Sequence, residues 1–375
     1  MTLCFADYFG KPTWTADAIL QMTNEEVASY EGIYRAALQF SRSWLQGQET
    51  FQLFTSGSTG TPQPVAISRL QMLASIRATA AALQLSSGQS ALVCLNPAYV
   101  AGIMMLARGW QLGLHMYLVA PTSRPLQHFD THMRFDFVAM VPLQLQQSIC
   151  HQPDKYILDR CGNIIVGGAA MNVALEQATQ SVRATVYATF GMTETVSHIA
   201  LRRINGKHPE ADYGLLPNIT AQTDERSCLM ICGEVTQGRW ITTNDIVTFT
   251  APRRFRFEGR ADFVINSGGI KIFPEKLEQQ IAALQIPALQ NKRFIITAQP
   301  DEQLGEQVVL VVETNQLPNV EQIVQCLKEK LPRYHAPQHI FCLPQFPQTA
   351  TGKVNRKELQ QLITDASSAN SSANI

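Results

Sequence analysis

The sequence predicts an α/β protein, with a large N-terminal α/β domain that includes an antiparallel β-subdomain, and a small α+β C-terminal domain. Three observations predict it. Short apolar runs alternate with amphipathic helical stretches through the first two thirds of the chain. From about Leu229, strand patterns follow one another with no helix long enough to separate them. A polar stretch, Phe257-Glu-Gly-Arg-Ala-Asp262, then precedes a new α+β pattern. A chain of 375 residues, 45% apolar and 16% charged, can bury one large core and a second, smaller one.

In chain order, residues 51–54, 91–95, 115–119, 137–141, 164–166 and 186–190 read as buried strands. Between them, 69–83, 100–112 and 172–179 place apolar residues at helical spacing, the layout of a substantially parallel sheet. Residues 229–231, 240–242, 246–249 and 255–257 read as the antiparallel strands. Beyond the polar stretch, Pro274 suits the first position of a helix over 275–283. Strands at 294–298 and 308–312, a helix at 321–331 and a strand at 339–343 complete the small domain. The expected organisation is a large domain over 1–258, a hinge at 259–262, a small domain over 263–364 and a disordered tail over 365–375, which is rich in Ser, Ala and Asn and has no apolar face.

Thirty basic residues balance thirty acidic ones, which argues against a surface dedicated to nucleic acid or anionic lipid. Any anionic substrate must therefore be captured by local groups. The eight cysteines are scattered; only Cys228 and Cys232 lie close, with no second ligand pair, so free buried thiols are expected and not a zinc site. Residues 1–10 carry acidic and aromatic residues in place of a basic stretch followed by an apolar run, and no uninterrupted apolar segment reaches bilayer length. A cytoplasmic, reducing location with no membrane insertion is the expectation. The oligomeric state is open, a homodimer included.

Five segments carry candidate chemistry. Thr55-Ser-Gly-Ser-Thr-Gly60-Thr-Pro62 mixes small hydroxyl residues with glycines, so that backbone amides and hydroxyls can converge on phosphate oxygens; alone it reads equally as a structural turn. In Tyr187-Ala-Thr-Phe190-Gly-Met-Thr193-Glu194, the ring can stack on a flat base, the threonine can bond phosphate and the acid can hold magnesium, with a core aromatic and a solvated turn as the alternative. Trp240-Ile-Thr-Thr-Asn-Asp245 and Gly259-Arg260-Ala-Asp262 bring a carboxylate and a guanidinium suited to a ribose or a phosphate, although Asn-Asp is also a common turn pair. Pro347-Gln-Thr349-Ala-Thr-Gly352-Lys353 sets a lysine on a glycine turn, ordinarily a solvated surface charge.

In this order and spacing the five segments resemble the adenylate-forming superfamily of acyl-CoA synthetases, peptide-synthetase adenylation domains and luciferases, from about Phe51 to Leu359. Asn266-Ser-Gly-Gly269-Ile-Lys271-Ile-Phe-Pro274-Glu275 is similar to the family's glycine segment after the hinge, and residues 301–306 to its acidic turn. The resemblance implies attack of a carboxylate on the α-phosphate of ATP, then cleavage of the acyl-adenylate by a thiol, that of coenzyme A. It implies ATP contacts from Thr55, Ser56, Gly57, Ser58, Thr59 and Gly60, an adenine slot from Gly168, Ala169 and Phe190, and ribose contacts from Asp245 and Arg260. It assigns Thr193 to the α-phosphate, Glu194 to Mg2+ and Lys353 to catalysis. A mobile small domain would swing about Asp262, withdrawing Lys353 and bringing Ser267, Gly268 and Gly269 to the pantetheine arm; the glycines also read as an ordinary β-turn. Two departures stand out: Gln63 and Pro64 follow Pro62 where the family usually continues with Lys and Gly, and Asn244-Asp245 replaces the usual Gly-Asp pair.

The phosphate loop starts near residue 55, whereas most members place a further subdomain ahead of it, so the chain is similar to a reduced version. With Tyr99-Val-Ala-Gly102-Ile-Met-Met-Leu-Ala-Arg108 and Gly191-Met-Thr-Glu-Thr-Val-Ser197-His198, it resembles the short o-succinylbenzoate-CoA ligases of menaquinone biosynthesis. The substrate would be an aromatic dicarboxylate, whose second carboxylate needs a cation or several donors when buried. Arg108 and His198 are the candidates, with Ser197 as a donor; a helix-end cap and a satisfied core histidine are their structural alternatives. Open beside this are a ligase for another aryl or medium-chain acid and a non-catalytic acyl-adenylate or nucleotide-binding homologue.

Overall fold

A run such as Phe137–Met140, buried at every position, belongs in a sheet covered on both faces, and a reciprocal cap such as Ser68 with Gln71 starts a helix at Arg69. The computed structural model describes residues 1–54, 64–290, 292–348 and 354–372, with the side chains of Phe54 and of 366–372 left aside. The chain opens with β1 (Thr2–Phe5), β2 (Thr13–Trp14), α1 (Ala16–Gln21), α2 (Asn24–Ala28), α3 (Gly32–Leu45), β3 (Thr50–Phe54), β4 (Pro64–Ser68) and α4 (Arg69–Leu83). There follow β5 (Ser90–Val93), α5 (Val100–Leu112), β6 (His115–Leu118), β7 (Phe137–Met140), α6 (Pro142–Cys150), α7 (Gln152–Leu158), β8 (Asn163–Val166), α8 (Val173–Thr179) and β9 (Thr185–Gly191). Six strands come next: β10 (His198–Arg203), β11 (Tyr213–Leu215), β12 (Ile219–Thr223), β13 (Cys228–Gly233), β14 (Ile241–Ala251) and β15 (Arg254–Arg260). The last part holds β16 (Ile265–Ser267), β17 (Ile270–Ile272), α9 (Pro274–Ala283), β18 (Phe294–Asp301), β19 (Gly305–Glu313), α10 (Val320–Lys330), β20 (His339–Leu343) and α11 (Arg356–Ser372).

One sheet runs in the order β12-β13-β14-β15-β11-β10-β9-β8-β7-β5-β6-β1-β2. Its strands β1, β6, β5, β7, β8 and β9 are mutually parallel. The strands from β9 round to β12 pair antiparallel, so the expected β-subdomain is a continuation of the parallel sheet through β10. Alternate residues supply two cores, Ala91, Val93, Phe137 and Ala139 on one face, Leu92, Val138 and Met140 on the other. Chain order reverses around β5, which has β6 on one side and β7 on the other. Ligands of open α/β sheets sit beyond the C-terminal strand ends at such a reversal.

A second sheet, β17-β16-β19-β18 with β20 parallel to β19, carries its own cores. Ile296, Ala298, Val308, Leu310 and Val312 face α9 and α10, while Ile295, Val309 and Val311 pack with Leu359 and Ile363 of α11. Contacts between α9 and β15, with Lys276 donating to Glu258 at 2.6 Å, join the two sheets' surroundings.

Three expectations are corrected. Residues 240–242 and 246–249 are one long strand, β14, because the shifted register after Ile246 lets it bend without breaking; Asn244-Asp245 is mid-strand and not a turn. Between the strand expected at 51–54 and the helix expected at 69–83 lies a further strand: β3 and β4 flank the hydroxyl-glycine segment and pair antiparallel down to Phe54↔Pro64. Helix α11 extends to Ser372, so 365–372 is helical where a disordered tail was expected; no Gly or Pro interrupts that stretch, and Ala and Ser are permissive of helix. Among the described residues, no helix is long and apolar enough to cross a membrane.

Candidate functional site

The C-terminal ends of β8 and β9 lie side by side, in the parallel register Val166↔Ala188. Gly167 is required there, since a Cβ would stand 2.2 Å from Thr189 Oγ1. Gly168 and Ala169 follow on an exposed loop, Gly168 with φ +82°. Half-buried Phe190 is backed by Phe255, Tyr213 and Phe257, at ring-centroid separations of 5.1, 5.5 and 5.9 Å. It is therefore a core aromatic with part of its surface free, which is compatible with a stacking role.

Beyond β9 a single tight turn presents the next candidates. Thr193 is buried and Glu194 is exposed on a one-turn 3-10 segment. Val196 then adopts φ +69°, a conformation costly for a β-branched residue, while fully buried. Thr195 holds it in place by donating to the carbonyls of Met192 and Ser197, at 3.0 and 2.9 Å. The strained residue turns the chain so that Ser197 and His198 enter the interior directly after the phosphate and magnesium candidates.

There they meet Arg108, which α5 carries at 1% exposure. Its Nη2 donates to Ser197 Oγ at 3.1 Å and to Thr79 Oγ1 at 3.4 Å, and its Nε is buried without a partner. No carboxylate forms an ion pair with it among the described residues. Burial alone pulls the guanidinium down to about 10. Arg108 thus caps no helix end; it is a buried cation facing polar side chains. His198 has Nε2 3.2 Å from Thr79 Oγ1 and Nδ1 3.3 Å from Ser197 Oγ. Thr79 gives its own hydrogen to Ser75 O at 2.9 Å, so His198 donates from Nε2 and accepts at Nδ1. Burial, then the Arg108 charge, holds His198 well below its ordinary value. As a candidate cation His198 is corrected: it is neutral and satisfied, and the positive charge is Arg108's alone.

Thr79 was missed in the sequence. Its signal is a polar stripe, Gln71, Ser75 and Thr79, at four-residue spacing along α4, with all three buried where an apolar seam is the norm.

A second constellation lies on β14 and β15, where Asp245 and Arg260 are register partners. Arg260 donates from Nη1 to Asp245 Oδ1 at 3.2 Å and from Nη2 to Asp262 Oδ2 at 2.7 Å. Burial raises the Asp245 carboxyl above its ordinary value, with Arg260 opposing. Asp262 lies on a one-turn 3-10 segment between β15 and β16.

Ser267, Gly268 and Gly269 belong to the β16–β17 hairpin, in which Ser267 faces Ile270. Both glycines take positive φ, +56° and +80°, as a two-residue hairpin turn demands, so the ordinary-turn reading describes their conformation. Ser267 Oγ is buried and unpartnered. The candidates Thr55, Ser56, Gly57, Ser58, Thr59, Gly60 and Lys353, with Gln63, lie outside the described residues. The flanks of Lys353 are fixed: Gln348 and Val354 form an antiparallel bridge, and Arg356 grips both Glu278 oxygens at 2.9 and 2.8 Å.

The profile of the family described as AMP-binding enzyme matches residues 20–223. The chain belongs to this family of AMP-binding enzymes. Among curated relatives, a 2-succinylbenzoate–CoA ligase of Bacillus cereus is 24% identical over 345 residues, covering 84% of this chain and 70% of that protein. One of Enterococcus faecalis is 25% identical, covering 80% and 67%. Among solved structures, an acyl-CoA synthetase (AMP-forming)/AMP-acid ligase II-like protein from Dyadobacter fermentans is 38% identical, with TM-score 0.60, over 92% of this chain and 99% of that one. An O-succinylbenzoate Coenzyme A Synthetase from Bacillus subtilis, in complex with ATP and magnesium ion, shares the fold at TM-score 0.69 and 18% identity, over 82% and 69%. The family match and these likenesses agree with the adenylate-forming resemblance in the sequence and with its α/β fold.

Proposed function

We propose that this AMP-binding enzyme joins o-succinylbenzoate to coenzyme A through an acyl-adenylate. The coarser activity, an AMP-forming acyl-CoA ligase, is supported by the family match and the named relatives. The observation that carries the finer step is the buried guanidinium of Arg108, whose Nε has no partner and which no carboxylate among the described residues offsets. A buried, unpaired charge costs several kcal/mol, roughly, unless a ligand supplies the counter-charge. Arg108, whose Nε has no partner, offers the donors to such an anion, and Ser197, Thr79 and His198 hold its side chain in place. The turn that ends at Ser197 also carries Thr193 and Glu194, so it ties the Arg108 pocket to the nucleotide candidates at the other end of a dicarboxylate. The rigid ring carboxylate suits the fixed guanidinium, and the flexible succinyl carboxylate can reach the nucleotide.

In the first half-reaction that carboxylate attacks the α-phosphate and pyrophosphate leaves; in the second the CoA thiol displaces AMP. Charge builds on the transferring phosphate, so positioned donors dominate catalysis. We assign Lys353 to the carboxylate and α-phosphate oxygens, Thr193 to the same phosphate, residues 55–60 to the pyrophosphate end, and Gly168, Ala169 and Phe190 to the adenine. Asp245 and Arg260 take the ribose. One exposed carboxylate, Glu194, suits a Mg2+ held chiefly by substrate phosphates and water. We assign Asp262 as the pivot and Ser267 to Gly269 as the passage of the pantetheine arm, the lid being the part that follows β15.

The test is pyrophosphate release with ATP, CoA and a panel of acids. Turnover with o-succinylbenzoate, and at least tenfold less with benzoate and medium-chain fatty acids, is expected. Turnover of the monoacids with none of o-succinylbenzoate would reject the substrate assignment while leaving the ligase activity standing.

A further inference from the structure

Asp262 has both carboxylate oxygens engaged by side chains of β14 and β15. Oδ2 accepts from Arg260 at 2.7 Å, and Oδ1 accepts from Asn244 Nδ2 at 3.0 Å. Asn244 is the neighbour of Asp245, whose Oδ1 accepts from the other arm of Arg260 at 3.2 Å. The four side chains close a ring across β14, β15 and the connecting turn. Only the amide nitrogen of Asn244 can face the carboxylate, because its carbonyl there would repel it. A glycine at position 244 would offer nothing.

We infer that Asn244 is a positioning residue that latches the pivot Asp262 to the strand carrying the ribose candidate Asp245, and so biases which half-reaction orientation the small domain occupies. This rests on the proposed pivot role of Asp262. The latch also couples the two ends of the site. Ribose hydroxyls arriving at Asp245 draw on the carboxylate that Arg260 holds, and the same guanidinium holds Asp262. None of the ligand roles proposed above falls on Asn244, so on this inference it keeps its grip until the pivot itself turns.

Two measurements test this on the full-length enzyme, with Asn244→Ala and Asn244→Asp. The first is hydrogen–deuterium exchange of peptides spanning 257–266. Loss of one surface hydrogen bond to a carboxylate should speed exchange about fivefold in Asn244→Ala, and further in Asn244→Asp, where two carboxylates oppose each other, with β7 and β8 unchanged. The second compares single-turnover pyrophosphate release from o-succinylbenzoate and ATP with CoA-driven consumption of preformed acyl-adenylate. The ratio of the two rates should shift about fivefold, with KM for ATP within twofold of wild type. Unchanged exchange and an unchanged ratio overturn the inference. So does a parallel fall of both rates with a rise in KM for ATP, which marks mere support of Asp245. If wild type does not turn over o-succinylbenzoate, the substrate assignment has failed and the exchange result alone decides the latch. Asp262→Pro separates the remaining case: both half-reactions intact in that variant reject the pivot, whatever Asn244 does.

Discussion

Replacing Arg108 by Met should make the ligand-free protein more stable and a worse enzyme. Burial lowers the guanidinium from its ordinary value to about 10, which corresponds to about 3 kcal/mol of penalty on its charged form. Methionine fills similar space without the charge. Against the relief stand two hydrogen bonds, to Ser197 and Thr79, each contributing about 1 kcal/mol. Ser197 and Thr79 keep His198 as a partner, so neither is orphaned. The net gain is about 1 kcal/mol, or about 2–4 °C in melting temperature for a domain of this size. The o-succinylbenzoate complex should respond oppositely, because its ring carboxylate would be buried with no cation, at a cost of about 3–5 kcal/mol. That is roughly a 10²- to 10⁴-fold fall in kcat/KM.

The assay pairs thermal denaturation of the free enzyme with kinetics on o-succinylbenzoate and on 4-oxo-4-phenylbutanoate, which lacks the ring carboxylate. The variant should discriminate against the dicarboxylate, with the monoacid changed less than about fivefold. A variant less stable than wild type by more than about 1 kcal/mol, or one that loses both acids equally, would refute the idea that Arg108 is an unpaired charge waiting for an anion.

Further outcomes follow from the same structure and chemistry. Lys353→Ala should slow acid-dependent pyrophosphate release at least about 100-fold while ATP affinity, measured by calorimetry, changes less than about threefold. His198 is held well below 6.5 in the folded protein, so the unfolded chain binds the proton first on acidification; stability due to this group is intact above pH 6.5 and falls below it, by up to about 2 kcal/mol at pH 5. His198→Gln should flatten that part of the pH–stability curve, and an unchanged slope would contradict the assignment. Arg356→Ala strips the largely buried Glu278 of its bidentate partner, and should destabilise the small domain by about 3 kcal/mol in urea, whereas Arg356→Met with Glu278→Leu should lie within about 1 kcal/mol of wild type.

Helices α4 and α5 were legible to the residue because caps and periodicity agree there: Ser68 with Gln71 opens α4, and Gly113 in the left-handed region closes α5. The parallel strands were legible as apolar runs for the same reason they are buried on both faces. What the sequence hid was pairing. Polar Asn244-Asp245 mimics a turn, and only register with β15 shows that both residues stay in a strand. Likewise the partners of Arg108 come from α4 and from the turn before β10, 29 and 89 residues away along the chain. No local pattern could announce that its charge would go unpaired, although an arginine inside the apolar sequence of α5 was itself the hint. For His198 the arrangement is that of the satisfied core histidine, its two ring nitrogens set against the hydroxyls of Thr79 and Ser197 beside the Arg108 charge.

Val196 bears on why these groups are held as they are. A buried β-branched residue at φ +69° costs about 1–3 kcal/mol, and Gly or Asn would relieve it at the expense of a fully buried apolar contact. The strain persists because that side chain belongs to the core while its backbone reverses the chain between an exposed Glu194 and a buried His198. A relaxed turn would let the acidic and interior sides drift independently. With Val196 clamped by core packing and by Thr195 bridging Met192 and Ser197, the distance between the Thr193–Glu194 turn and the Arg108 side becomes a fixed length. On the proposed assignment of Thr193 to phosphate and Arg108 to a ring carboxylate, a fixed length of that kind would select a substrate by the separation of its two carboxylates, which neither group could do alone.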